Sequence, residues 1–461
     1  MTQPTLRTGP ATSTDAAAPT DDTSGGGPVV PRRKTNLALL GGSMATDGGE
    51  GSIMTTLFPV IQASLGLATS ALGILAATGR IVGAVAGPAW VLVARKTGRK
   101  GALALATGFW GLWGVAAGFS QNFTQLLVLY AIMAMGPVAA HTFVPAVIGD
   151  SFEEKRRGRV VGWVYGGVTA TSSLLAPLIG QLANIENGWR YGFFAFGAVN
   201  VLFGVLILAF YKDPGVGSGE AQLREFDQKA RDAEQTVTWD KVKSLLKIPS
   251  FVVLLGSRLL SSHLLLASFG VVLLVQEYGF DTAVAATVMA PFGFGYLAGT
   301  FLGGILSDAL HKVSPNYGRV AFLQAAQLAY AVIAFFATQF AYGGIAPYLV
   351  LFALVGAAMG VNPGVNRPLV MSVTPPELRP AAFAIFVSIA ESVGFAIYTL
   401  TAGFLAEAIG MRATMLWLVV GIMTLNAVYL TLLYKPFRRD RDALGRELER
   451  RHERLAASSG S

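Results

Sequence analysis

Beyond residue 35 the sequence carries twelve apolar stretches, near 36–62, 71–94, 101–120, 125–148, 158–183, 189–211, 250–276, 282–307, 319–340, 346–371, 380–405 and 411–434. Each is long enough to cross about 30 Å of hydrocarbon, which takes about 20 helical residues. A lipid-exposed backbone must satisfy its own hydrogen bonds, and stretches of this length do so as helices. The expected class is therefore an all-α integral membrane protein with twelve transmembrane helices. Composition agrees: 53% of residues are hydrophobic and 13% charged, where a soluble chain carries about 25% charge. Such a chain is not a cytosolic enzyme, a disordered polypeptide or a fibre. It contains no cysteine, which excludes disulfides and thiolate-ligated zinc or iron–sulfur centres.

Orientation follows from lysine and arginine. If the N-terminus is cytoplasmic, 30 of the 35 basic residues fall in cytoplasmic segments and only Arg190 and Arg412 lie outside. Arg80, Arg258 and Arg367 lie within spans. This asymmetry predicts a multi-pass protein of the cell membrane with both termini in the cytoplasm. It also explains the formal charge of +8 without a nucleic-acid partner. The longest loop divides the chain. Residues 1–35 read as a disordered cytoplasmic tail, 36–211 as an N-terminal six-helix half and 212–249 as a central cytoplasmic loop with a surface-lying helix. Residues 250–435 form the second six-helix half, and 436–461 a basic cytoplasmic tail whose alternating charges suggest an amphipathic helix.

Specific motifs carry a family resemblance. After the second span comes Arg95-Lys96-Thr97-Gly98-Arg99-Lys100, and after the eighth Gly304-Ile305-Leu306-Ser307-Asp308 followed by Gly318-Arg319. These resemble the Gly-x-x-x-Asp-Arg-x-Gly-Arg-Lys loop found in both halves of major facilitator superfamily transporters. Asp150 and Arg157 match that family's acid-x6-Arg pattern. The resemblance covers about residues 36–435 and implies two pseudo-symmetric six-helix halves that alternate access around a central site. A finer similarity is to the spinster-like branch, through Gly73 to Lys100, Thr142-Phe143-Val144-Pro145, Gly188-Trp189-Arg190 and Pro376-Glu377-Leu378-Arg379. The sequence also departs from the pattern. Arg95 stands where an acid is expected and Val91 where a glycine is expected, while Tyr130 and Pro137 replace a coupling arginine and glutamate.

Ionisable groups in hydrocarbon cost about 2.5–3.5 kcal/mol each even on the lenient scale, so they need a reason to be there. Asp47 and Glu50 lie three residues apart in span 1, on neighbouring faces of one helix. Close carboxylates in a low dielectric resist double ionisation, which makes the pair the expected proton-coupling site. Glu50 also lies nine residues before Pro59, where the resemblance places a span 1 acid. Arg80, at mid-depth in span 2, is expected either to neutralise one of these acids or to bind an anionic substrate head. His263 in span 7 and Asn362 and Asn366 in span 10 are further substrate contacts by resemblance, since spans 1, 4, 7 and 10 line the cavity of this family. Asn362 and Asn366 could equally satisfy backbone freed by Pro363.

His141, Arg258, Arg367 and Glu391 are assigned supporting or gate roles, with His141 read as a hydrogen-bonded packing residue. Arg95, Arg99, Asp150, Arg157, Asp308 and Arg319 form the gate loops. By resemblance, Asp308 faces a helix N-terminus of the other half, near Arg157 and Arg159, whereas Arg95 would repel one and weaken the lock. Glycines 79, 83 and 87 and glycines 295, 299 and 303 recur every four residues, a spacing that lets helices pack closely. The stripes are read as packing, which at a sliding interface would allow the halves to rock.

No Walker-type loop, nucleophile–base pair or metal cluster is visible, so neither an enzyme nor a cofactor is expected. The sequence reads as a monomeric secondary transporter, proton-coupled, exporting an amphipathic or hydrophobic small molecule. Uptake of an organic anion through Arg80 and Arg367, or facilitated passage without coupling, is the alternative within transport, and a membrane receptor or scaffold without flux the alternative outside it.

Overall fold

The computed structural model describes residues 32–152, 154–214, 239–375 and 378–459, with the side chains of 149, 154–159, 239–241, 380, 388 and 451–459 outside the described set. Among the described residues it is helical, with no strand. The first half comprises α1 (Arg33–Thr56), α2 (Phe58–Leu65), α3 (Ser70–Ala104), α4 (Gly111–Gly118), α5 (Phe123–Met133), α6 (Gly136–Ser151), α7 (Glu154–Gln181) and α8 (Gly188–Phe210). A short helix, α9 (Trp239–Ser244), precedes the second half. That half comprises α10 (Pro249–Leu259), α11 (Leu265–Tyr278), α12 (Thr282–Val313), α13 (Gly318–Gln339), α14 (Ala346–Val373), α15 (Arg379–Phe383), α16 (Ser392–Ile409), α17 (Met411–Met415) and α18 (Ile422–Tyr429). The chain then continues into α19 (Tyr434–Ser459).

Eight stretches are apolar and uninterrupted enough to cross a bilayer on their own. One of them, Ser70–Gly118, holds two crossings, because the chain reverses at Gly98 (φ 73°, ψ 166°). A side chain there would be strained by the positive φ. The expected loop at 95–100 thus contracts to a one-residue hinge. The first and seventh crossings are each broken into two helices (α1–α2 and α10–α11), and glycine, serine and threonine dilute the fifth, α7. With these the twelve crossings are complete. Wider π turns at Leu105–Phe109, Ala384–Glu391 and Leu416–Gly421 link the pieces of crossings three, eleven and twelve. Helix α5 begins on Asn122, whose side chain accepts from the Gln125 N–H at 2.9 Å while Gln125 accepts from the Gln121 N–H at 2.9 Å, a variant of the capping box.

One boundary moves. The first helix starts at Arg33 rather than after residue 35, so the basic pair Arg33-Lys34 belongs to its first turn; residues 1–31 lie outside the described set. Most of the central loop, 215–238, also lies outside it. The C-terminal segment is a helix, as its charge pattern suggests, and it is docked. Asp440 accepts from the Ser250 N–H at 2.8 Å and the Ser250 hydroxyl at 2.7 Å, and Phe437 is buried with Leu245, Phe251 and Leu433.

Glycine seams hold each half together. The carbonyls of Ala353 and Ala357 on α14 lie against Gly295 and Gly299 of α12, while Gly356 and Gly360 of α14 receive the carbonyls of Phe292 and Tyr296. Gly79, Gly83 and Gly87 of α3 pack on Tyr130, Val138 and Thr142 of the fourth crossing. Both stripes lie inside a half, so they are packing seams and not surfaces on which the halves rock.

The halves meet instead through other small residues. Gly73 of α3 faces the Thr399 carbonyl and Gly403 of α16, and Gly180 of α7 faces Ala283 and Ala286 of α12. The hydrogen bonds crossing between the halves, among the described residues, lie at this same end. The Ser70 N–H donates to Glu407 at 2.6 Å, and the Gln276 amide donates to Gln62 and Thr69 at 3.3 Å. Past Arg80, α3 becomes exposed along one face (Ile81, Val85, Leu92), as does α12 past Leu297 (Phe301, Leu302, Ile305). The bundle is a wedge, sealed at the end of Ser70 and Glu407 and open toward the end of the basic loops.

This seal has a direct test, made clean by the absence of native cysteine. A Cβ at residue 73 would overlap the Thr399 carbonyl, so Gly73→Val is expected to part the halves at the sealed end. Labelling of Thr55→Cys by an impermeant maleimide applied to that face should rise; unchanged labelling would refute the seal.

Candidate functional site

Beneath the seal lies a cavity of about 340 Å³. Its walls are Met44, Asp47, Glu50 and Thr55 of α1, Gly79 and Arg80 of α3, Tyr130, Pro137 and His141 of the fourth crossing, and Val168 of α7. The second half contributes Ser268 and Phe395. The cavity is mostly apolar, with its polar groups concentrated on the first half.

The two span 1 acids are brought together there as the sequence suggests, and both are buried, Asp47 at 8% and Glu50 at 4% exposure. Glu50 points away from Arg80 toward α4 and α8. Its Oε2 accepts from the Asn200 amide at 2.8 Å, and its carboxylate occupies the space left by the missing side chain of Gly114. Glu50 Oε1 and Asp47 Oδ2 are buried without hydrogen-bond partners.

No ion pair joins Arg80 to either acid among the described residues, so the counter-ion role does not hold in this state. The Arg80 guanidinium lies over the Phe395 ring, 4.8 Å from its centroid. It is exposed to the cavity, within electrostatic reach of Tyr130, His141 and His263. A guanidinium on an aromatic face gains about 0.5–2 kcal/mol and keeps its N–H fork free for a planar anion.

The other expected contacts divide. His141 is exposed on the cavity wall, its ring stacked on Tyr165 at 6.0 Å; its reading as a packing residue is replaced. His263 is buried in the break between α10 and α11, Nδ1 is 3.1 Å from Ser261 Oγ, and its carbonyl accepts from Tyr330 at 2.8 Å. It supports the cavity rather than lining it.

Asn362 and Asn366 are inside the second half, not at the cavity. Asn362 accepts from Gln327 at 2.6 Å and from Asn366 at 3.3 Å, and donates to the Met359 carbonyl at 3.1 Å. That carbonyl is the acceptor Pro363 cannot serve, having no N–H. The backbone-satisfying role therefore displaces the substrate role. Arg258 and Glu391, both assigned supporting or gate roles, form an ion pair linking α10 to the eleventh crossing. Arg367 is exposed on α14 within electrostatic reach of Tyr165 and Tyr296.

At the open end each half closes its own loop. Arg99 bridges Asp150 and Asp213, both at 2.5 Å, and Arg319 pairs with Asp308 at 2.8 Å. Arg95 is exposed, and the side chain of Arg157 lies outside the described residues. Among the described residues no cluster of three or more His, Asp or Glu could share a metal ion. Asn200 and Gly114 escaped the sequence reading. Asn200, a lone amide in an apolar helix, was a detectable signal; Gly114 was not, because its role is only to leave room.

Two six-helix halves sealed at one end around a site with buried carboxylates and a free cation have the architecture of an alternating-access carrier. The sequence model of the Major Facilitator Superfamily matches residues 39–343 and 260–459, and the chain belongs to that family of membrane transporters. Among curated relatives, a probable 4-methylmuconolactone transporter of Cupriavidus pinatubonensis is 26% identical over 42% of this chain and 45% of its own length. The 3-(3-hydroxy-phenyl)propionate transporter of Escherichia coli is 28% identical over 53% of this chain and 58% of its own. The chain thus spans about half the length of these relatives. Of solved structures, a bacterial homologue of the human lysosomal transporter Spinster, inward-facing and occupied, aligns with TM-score 0.68 at 17% identity, over 89% of this chain and 97% of that one. The D-xylose–proton symporter aligns equally well, with TM-score 0.68 at 17% identity over 86% and 96%. Equal likeness to both establishes the fold and singles out no branch.

The carboxylate placement is testable by infrared spectroscopy. Gly114→Ala puts a methyl group where the Glu50 carboxylate lies, so the carboxyl band that disappears in Glu50→Gln should shift in Gly114→Ala. A band identical to the native one would refute the contact.

Proposed function

We propose that this transporter carries a small organic anion across the cell membrane, with both termini in the cytoplasm and movement coupled to protons. The single observation that carries the substrate class is Arg80, a guanidinium on the cavity wall, seated on Phe395 and in no ion pair among the described residues. A cationic fork exposed to a mostly apolar cavity suits a carboxylate on a compact, preferably aromatic body. The names of two relatives are consistent: hydroxyphenylpropionate is such an anion, and a sulfoacetate transporter of Cupriavidus necator is 24% identical over 56% of this chain. Of the two substrate classes open at the level of sequence, the geometry favours the anion.

Proton coupling rests on Asp47 and Glu50. Neither has a cation partner among the described residues, and two neighbouring carboxylates in a low dielectric resist ionising together. The pair is therefore suited to take and give one proton as its surroundings change between open and sealed. The concentration of basic loops at the open end supports a cytoplasmic opening for this state. An anion on Arg80 and a proton on the acid pair neutralise the cavity together, so the reading is cotransport of the two in one direction.

A second reading, transport of an amphipathic molecule, is favoured by one observation. A lipid-facing apolar groove of about 700 Å³ between the first, fifth and sixth crossings shares Val168 with the central cavity.

Counterflow in proteoliposomes decides between these readings. An aromatic monocarboxylate should exchange, and Arg80→Gln should weaken its apparent affinity about 10- to 100-fold, the value of a charge-assisted contact. Glu50→Gln should abolish acceleration by a pH gradient while counterflow persists. Exchange of a lysophospholipid but not of the acid would favour the second reading. Binding with no exchange of either would favour a receptor.

A further inference from the structure

At the open end of the second half, remote from the central cavity, a pocket of about 380 Å³ lies between α19 and the ends of α12 and α14. It is lined by His311, Arg379 and Arg441 on one side and by Met371, Leu444 and Leu448 on the other. No acid lines it among the described residues. Asp308 is engaged with Arg319 at 2.8 Å, and Asp442 pairs with the rim residue Arg441 at 2.9 Å, which leaves Arg379 and His311 as the uncompensated basic groups inside.

The basic groups have capacity to spare. Arg379 Nε and His311 Nδ1 are buried with no hydrogen-bond partner, and the remaining Arg379 contact is a long one, 3.4 Å from Nη2 to the Met371 carbonyl. A buried polar group left without a partner is costly, more so when it is charged. An unpartnered Arg379 N–H and an unpartnered His311 ring nitrogen, meeting in one cavity from different helices, mark a place for an acceptor-rich anion. Arg441 is held at the rim by the Pro315 carbonyl at 2.7 Å, which fixes its guanidinium beside the cavity instead of leaving it to wander in solvent.

The pocket's position selects the anion. It opens where membrane crossings end, and its other wall is the apolar face of α19, whose Leu448 is exposed. Basic pockets at this level, with an apolar exit beside them, fit a phosphodiester whose acyl chains continue into the bilayer. We propose that this pocket binds the headgroup phosphate of an anionic phospholipid, with Arg379 and His311 as donors from inside and Arg441 closing the rim. Because Asp440 ties α19 to Ser250 of α10, a lipid here joins α19, α12 and the start of the eleventh crossing into one unit.

The test uses the full chain, purified in detergent and examined by native mass spectrometry with added phosphatidylglycerol or phosphatidylcholine. The native protein should retain phosphatidylglycerol preferentially. Arg379→Gln and the more peripheral Arg441→Gln should each weaken that retention about tenfold, as for one lost charge-assisted contact. Melting temperature in detergent identifies any variant that fails to fold, and Arg441→Gln, on the surface helix, carries the test if Arg379→Gln does not. No preference for phosphatidylglycerol, or equal retention in native protein and both variants, would overturn the proposal. Competition by millimolar inorganic phosphate to the same degree as by added phosphatidylglycerol would also overturn it, assigning the pocket to a free anion.

Discussion

A bilayer offers no hydrogen-bond partner and little dielectric screening, and the rest of this structure depends on that deprivation. Backbone groups must pair within helices, so the chain is a bundle. Polar side chains must find protein partners or line a wet cavity. Where proline removes an N–H from α14, the Asn362 amide takes over the orphaned Met359 carbonyl. Where arginine enters the second half, Glu391 meets it. The span 1 acids and Arg80 fall outside this economy, and the cavity exists around them.

Packing inside each half and closure between the halves both depend on the placement of glycine. The α12–α14 seam brings backbone against backbone over two helical turns, which makes the second half a rigid body. The halves meet along α3–α16 and α7–α12 through small residues, with three hydrogen bonds at one end among the described residues. Two halves joined in this way at one end fit alternating access. The salt bridges at the open end stay within their own halves and so do not oppose that movement.

The chemistry is likewise divided. Proton-binding candidates and the cation sit on the first half, while the second half supplies Phe395 as the seat of that cation. Motion of α16 relative to α3 would change the surroundings of Arg80 without moving Glu50 from Asn200 and Gly114, all of which belong to the first half.

Much was legible without coordinates. Twelve apolar stretches and their paired loop motifs determined a bundle of two six-helix halves, because hydrophobic length and helix geometry are local properties. The depth of Asp47, Glu50 and Arg80 marked the centre of the bundle for the same reason. Partnership is not local. Only the tertiary structure decided that Glu50 faces Asn200 and Gly114 rather than Arg80, that Arg258 meets Glu391, that Asn362 serves its own helix, and that His141 faces the cavity. It also decided that the regular glycine stripes bind helices within a half while isolated glycines at 73, 180 and 403 form the contact between halves. Each of these depends on the rotation of one helix about its axis against another, which spacing along a single helix does not encode.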